Sequence, residues 1–139
     1  MTKLRSSLVQ CDLRWEDPQA NHAHLEELLG ELDSRDTDLI VLPEMFATGF
    51  TMNSREMAQP MAESQSVTWL QTQAQARNCV MTGSVAIKED GEYFNRLIWA
   101  TPEGDLTHYD KRHLFRMAGE HERYGMGSER KVVELNGFK

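Results

Sequence analysis

The apolar positions of this chain change period several times, and each change predicts an element. Residues 4–13 alternate loosely between apolar and polar side chains and read as a first strand. Asp17 then stands as an N-cap, with Pro18 at the first helical position, where a missing N–H costs nothing. Beyond it, Asn21, Leu25, Leu28, Leu29 and Leu32 fall on one face at helical spacing, and the Ser34-Arg35-Asp36 cluster is expected to end the helix. Leu39-Ile40-Val41-Leu42 is apolar on both faces, the habit of a parallel strand covered on each side, and Pro43 stops it. Strand, helix and buried strand in this order make a βαβ unit.

Between Met45 and Gln65 the period is lost. Met45, Met52, Met57 and Met61 lie here, and they read as loop side chains packed on a core rather than a pliable binding surface. Ser64 or Ser66 caps a second helix carrying Val67, Leu70 and Ala74. From Cys79 the pattern turns to strands: 80–87, a hairpin turn at Asp90-Gly91, and a return over 93–100. A turn at Thr101-Pro102-Glu103-Gly104 leads to a third strand over 106–109. Residues 116–131 are polar and irregular, a loop long enough to suspect function, and 132–135 reads as a last short strand. Asn136-Gly137 is a strong hairpin signal with only two residues after it, so the expectation is an unpaired strand and a chain that stops in mid-fold.

Composition narrows the classes of function. The 139 residues suit one domain, and 40% hydrophobic with 27% charged residues is the balance of a globular protein. Twenty-two acidic against fifteen basic residues give a net charge of -7, which argues against nucleic acid and against an anionic membrane leaflet. With no apolar run long enough for a membrane span or a signal peptide, a cytoplasmic location is expected. Cys11 and Cys79 sit in apolar strand-like runs without CxxC spacing, so neither a disulfide framework nor a metal site is predicted.

Glu44 directly follows the C-terminal end of a buried strand, where open α/β sheets form their ligand crevices. Among Leu42, Pro43, Met45 and Phe46 its carboxylate would be partly desolvated and suited to general-base work, although a solvated loop residue fits the position as well. Lys111, just past a strand in Tyr109-Asp110-Lys111-Arg112-His113-Leu114-Phe115, could stabilise an oxyanion or belong to a solvated turn. The loop Gly119-Glu120-His121-Glu122-Arg123 offers a second carboxylate or is solvent-facing. Other motifs fail. Gly125-Met126-Gly127 lacks the third glycine of a dinucleotide fingerprint, because residue 130 is Arg. There is no phosphate-binding GxxxxGK[ST] loop and no GxSxG elbow, and His22 and His24 point to different helix faces.

Leu42-Pro43-Glu44-Met45-Phe46 with Thr48-Gly49-Phe50 resembles the glutamate motif of the nitrilase superfamily of carbon–nitrogen hydrolases, and Tyr109 to Phe115 resembles its lysine motif. Gly83-Ser84, Asn95 and Pro102-Glu103-Gly104 fit between them. The form Pro-Glu-Met-Phe-x-Thr-Gly-Phe resembles the bacterial omega-amidase branch, which hydrolyses the terminal amide of 2-oxo acids such as 2-oxoglutaramate. The resemblance implies Glu44 as general base, Lys111 as stabiliser of the tetrahedral intermediate, and Glu120 as the second glutamate, with Glu122 close enough to leave that choice open. It places Phe46 and His113 beside the substrate pocket. It further implies an α/β fold, with 1–139 as the first half of a four-layer α-β-β-α sandwich, no cofactor or metal, a small-molecule amide substrate and a homodimer when full length. The family's cysteine nucleophile would follow the last strand, so residues 1–139 alone are expected to be inactive. A nitrile or carbamoyl substrate shares the same logic, and a non-catalytic assembly module completed by a partner chain is the alternative from another class.

Overall fold

A computed structural model describes residues 3–33 and 36–139. The elements run β1 (Ser6–Leu8), α1 (Pro18–Leu29), β2 (Leu39–Val41), α2 (Ser54–Met57), β3 (Gln59–Pro60), α3 (Gln65–Arg77), β4 (Val80–Glu89), β5 (Glu92–Ala100), β6 (Leu106–Asp110) and α4 (Glu120–Arg123). They form one mixed sheet in the order β1-β2-β4-β5-β6, with β3 paired to the far end of β4. The first three strands of that order are parallel, and β4, β5 and β6 form an antiparallel meander. This is the α/β architecture that the sequence predicts, a sheet flanked by helices.

Start signals act as the sequence suggests. The Asp17 side chain accepts from the Ala20 N–H at 3.0 Å, and Ser64 does the same for Val67 in α3. Asn78 in the left-handed conformation (φ 50°) closes α3. Helix α1 ends earlier than expected, at Leu29 with Gly30 as its cap. The predicted stop at Ser34-Arg35 lies outside the described residues.

Two strand predictions need correction. The first strand spans three residues rather than 4–13. Its partner β2 is equally short, and by Arg14 both backbone groups are taken by the Asn21 side chain at 2.7 Å each. Residues 132–135 do not join the sheet; Leu135 and Phe138 instead exchange both backbone hydrogen bonds across Asn136-Gly137. Asn136 and Gly137 adopt φ of 53° and 83°, the mirror-image turn that favours this pair.

The core lies between the sheet and α1 with α3. Leu25 and Leu29 of α1 and Val67, Leu70 and Ala74 of α3 pack on Ile40, Met81, Val85, Ile87 and Ile98. Burying such side chains contributes roughly 1.5–3 kcal/mol each, which is what holds the helices to the sheet. Because side chains alternate along a strand, Ser84 and Ala86 of β4 look to the opposite face, where Ala86 joins Met45 and Tyr124 in a second cluster. Met45 is fully buried and Met52, Met57 and Met61 are half-buried, as loop methionines packed on a core.

Candidate active site

The site forms at the end of the parallel strands, on the sheet face away from α1 and α3. Pro43 ends β2 and Glu44 opens a turn that β4 grips closely. The Met45 N–H donates to Ser84 Oγ at 2.8 Å and the Phe46 N–H to the Ser84 carbonyl at 3.2 Å. Gly83 permits this approach, since a Cβ there would lie 2.7 Å from the Phe46 ring and 3.0 Å from Leu42 Cβ. The turn leaves Glu44 half-exposed at the mouth of a cavity of about 240 Å³. Val41, Leu42, Gly83, Ser84, Asn95 and Leu97 line it, together with Tyr109 and Lys111.

Lys111 follows β6, and its backbone is fixed on both sides. Its N–H donates to the Asn95 carbonyl and its own carbonyl accepts from the Gly127 N–H, each at 3.0 Å. The strand before it is held by Arg96, a guanidinium only 1% exposed, bonded to Asp110 at 2.6 and 2.9 Å and to Glu89 at 3.1 Å. Such bidentate pairing is how a buried arginine keeps its charge. The Lys111 ammonium reaches Glu44 Oε1 at 2.7 Å and Glu120 Oε2 at 3.0 Å, with its Nζ 5.1 Å from the centre of the Phe50 ring.

Glu120 is fully buried at the start of α4. Its Oε2 also accepts the Phe115 N–H at 2.6 Å, and its Oε1 accepts from Asn95 Nδ2 at 3.0 Å. Burial disfavours its charge, but the Phe115 N–H, Asn95 and Lys111 outweigh that and hold the carboxyl below its usual range. Lys111 shows the converse: desolvation opposes its charge, while hydrogen bonds to Glu44 and Glu120 hold its pKa above the ordinary lysine value. The ammonium therefore stays charged across the neutral range. Tyr124, whose O–H donates to the Thr51 carbonyl at 2.8 Å, is pushed upward by burial and remains a neutral donor.

The structure thus brings Glu44, Lys111 and Glu120 together. Glu122 stays out, 70% exposed, with His121 Nε2 at 3.9 Å from its carboxylate. Phe46, expected beside the pocket, is fully buried in the core and does not line the cavity. The turn sends it to the helix-covered face while Glu44 takes the other. His113 is likewise displaced: it is exposed and lines a neighbouring cleft with Arg112 and Trp99. Sequence reasoning passed over Asn95 as a site residue. The available signal was a buried amide in mid-strand, a position where a polar group needs partners.

Neither cysteine lines the cavity. Cys79 is buried in the core and Cys11 packs half-buried against it, and burial pushes both thiols upward, away from the reactive thiolate. Among the described residues no three His, Cys, Asp or Glu side chains cluster as a metal site. What the arrangement offers is a carboxylate able to take a proton, beside a fixed cation able to hold a developing negative charge.

Residues 5–139 match the family model described as carbon-nitrogen hydrolase. The chain is 45% identical over its full length to Omega-amidase YafV of Yersinia enterocolitica, covering 53% of that protein. It is 32% identical over 136 residues to the 2-oxoglutaramate amidase of Bacillus subtilis, covering 96% of this chain and 52% of that one. Among solved structures it is similar to XC1258 of Xanthomonas campestris, a CN-hydrolase superfamily protein with an arsenic adduct in its active site. The TM-score is 0.92 at 45% identity, over 99% of this chain and 51% of the other. The chain spans about half the length of the curated relatives it matches. A family match that extends from residue 5 to residue 139, over the motifs that form the cavity, establishes that this chain belongs to the carbon–nitrogen hydrolases of the nitrilase superfamily.

Proposed function

We propose that Glu44, Lys111 and Glu120 are the proton-handling and charge-stabilising part of an amidase site whose thiol nucleophile comes from outside residues 1–139. The observation that carries this reading is the Lys111 ammonium held between Glu44 at 2.7 Å and Glu120 at 3.0 Å on a small, largely apolar cavity. Glu44 accepts the thiol proton, and the thiolate attacks the amide carbon, forming a C–S bond as the C=O pair moves onto oxygen. Lys111 holds that oxyanion. Collapse of the adduct breaks the C–N bond, and Glu44 returns its proton to the departing nitrogen, which leaves as ammonia. Glu44 then takes a proton from water as the hydroxide attacks the thioester, giving a carboxylate and restoring the thiol. Glu120, buried and ionised, keeps the ammonium in place.

The substrate is the terminal amide of a short 2-oxo acid of the 2-oxoglutaramate type. Support comes from the Bacillus relative and from a cavity wall of Val41, Leu42 and Leu97 suited to a short aliphatic chain. The same reading carries over a cytoplasmic homodimer acting on a small molecule. The test measures ammonia release from 2-oxoglutaramate by residues 1–139 and by the reading frame that contains them. The expected result is turnover in the latter alone, reduced about 10²- to 10⁴-fold by Glu44→Gln or Lys111→Ala. Turnover by residues 1–139 above their own Lys111→Ala variant overturns the assignment of the nucleophile. Full activity in Glu44→Gln overturns the assignment of the base.

A further inference from the structure

We propose that Asn95 is a positioning residue that commits one oxygen of Glu44, Oε1, to hydrogen bonding and so reserves the other, Oε2, for the proton. The inference rests on the reading of Glu44 as the base. Asn95 sits in the middle of β5, opposite Ala86 of β4, and is 2% exposed. Its Nδ2 donates to Glu44 Oε1 at 2.8 Å and to Glu120 Oε1 at 3.0 Å. An amide nitrogen carries two hydrogens, so both donors are spent on carboxylates. The backbone carbonyl of the same residue takes the Lys111 N–H at 3.0 Å. One strand position therefore touches all three proposed site residues.

The two donors converge unequally on Glu44. Its Oε1 accepts from Asn95 at 2.8 Å and from Lys111 at 2.7 Å, while Oε2 has no hydrogen-bond partner among the described residues. Two charge-assisted bonds to one oxygen fix the rotation of the carboxylate and leave the lone pairs of the second oxygen free. Lys111 alone would not do this, because a single contact to one oxygen leaves the carboxylate free to turn about it. The planar amide, held in the sheet and tied to buried Glu120, supplies the second contact that stops the turn.

The Oδ1 of Asn95 supplies a separate argument. It is buried with no hydrogen-bond partner among the described residues, an unfavourable arrangement for an amide oxygen. Turning the amide over would point this acceptor at two carboxylates, so its orientation is fixed by charge. An apolar side chain would avoid the cost, and an aspartate would add a third negative charge. A neutral double donor meets both glutamates without adding a charge to the cluster, and an unsatisfied acceptor retained for that purpose is the kind of local conflict found at functional sites.

The test compares Asn95→Leu, close in volume without donors, with Asn95→Ser, which is smaller and keeps the strand should the leucine disturb folding. In the reading frame that contains residues 1–139, both are expected to lower kcat about 10- to 100-fold with KM within twofold. In the same reading frame, carboxyl-carbon NMR is expected to show the Glu120 midpoint rising in both variants. Folded variants with reduced stability but unchanged kcat and an unmoved Glu120 midpoint would overturn the proposal in favour of a purely structural role. Failure of the underlying reading shows separately, as full activity in Glu44→Gln.

Discussion

Glu120 and Glu122 stand two residues apart in the same short helix and meet opposite environments. Glu120 is fully buried with three donors, whereas Glu122 is largely solvated. Replacing Glu120 by Ala strands the Phe115 N–H, one Asn95 hydrogen and part of the Lys111 charge. That is expected to cost about 3 kcal/mol, against about 0.5 kcal/mol or less for Glu122→Ala, in urea unfolding at pH 7. The Glu120 carboxyl is held below its unfolded value, so its contribution is present above the ordinary carboxylate range. It is lost as pH falls through the depressed folded value, and the gap between Glu120→Gln and the parent should close in acid. At this scale the sequence was informative where a residue bordered a regular element. The positions of Glu44 after a parallel strand and of Lys111 after a meander strand were both legible, although β2 is buried at Ile40 only and half-buried at Leu39 and Val41, not covered on both faces as its apolar run suggests. The choice between the two glutamates was not, because 116–131 reads from sequence as an irregular loop and a helix of four residues is too short to show a period that says which side chain turns inward. Phe46 misled for a related reason: neighbours in sequence leave a tight turn on opposite sides.

The elements that carry these residues depend on close backbone approach. Gly127 lies in the strap after α4, its N–H bonded to the Lys111 carbonyl at 3.0 Å, and a Cβ there would collide with the Asp110 carbonyl. Backbone on the receiving side cannot rotate away. Gly127→Ala is therefore expected to destabilise the chain by about 3 kcal/mol or more. Gly125→Ala should cost distinctly less, because its Cβ would meet the edge of the Phe94 ring at 2.9 Å and a side chain can shift. Differential scanning calorimetry of the two variants checks the order. Element starts and tight turns were readable from sequence because each depends on local chemistry, as Asp17-Pro18, Ser64 and Asp90-Gly91 show. The lengths of β1 and of the segment 132–135 were not. An alternating pattern reports that a strand has a face, but not how far its partner runs.

For the molecule as a whole, ion pairs set the pH range of stability. Arg5 holds Asp38 below its usual value, Arg96 does the same for Glu89, and Glu120 is depressed by the contacts already described. Each contributes stability above its unfolded value and loses it as pH falls through the folded one. Lys111 is raised, so its contribution is present below the ordinary lysine value and is lost as pH climbs through the folded one. The midpoint of thermal unfolding is therefore expected to be flat through neutrality. It should fall below about pH 4 and again above about pH 10.5. A midpoint that rises on acidification to pH 3 would contradict this assignment. The mixed sheet also bears on the order of assembly. Asn95 and Glu120 are 25 residues apart, whereas Glu44 and Lys111 are separated by 67. The longer loop costs about 0.6 kcal/mol more closure entropy for each doubling of length. Hairpin contacts within β4, β5 and β6 are local, while β2 must find β4 across α2, β3 and α3. The Lys111 and Glu120 side of the candidate site is thus encoded in the local meander and the strap after it, whereas Glu44, the proposed base, is delivered by the long-range parallel pairing, so on this order the ammonium meets Glu120 before it meets its second carboxylate.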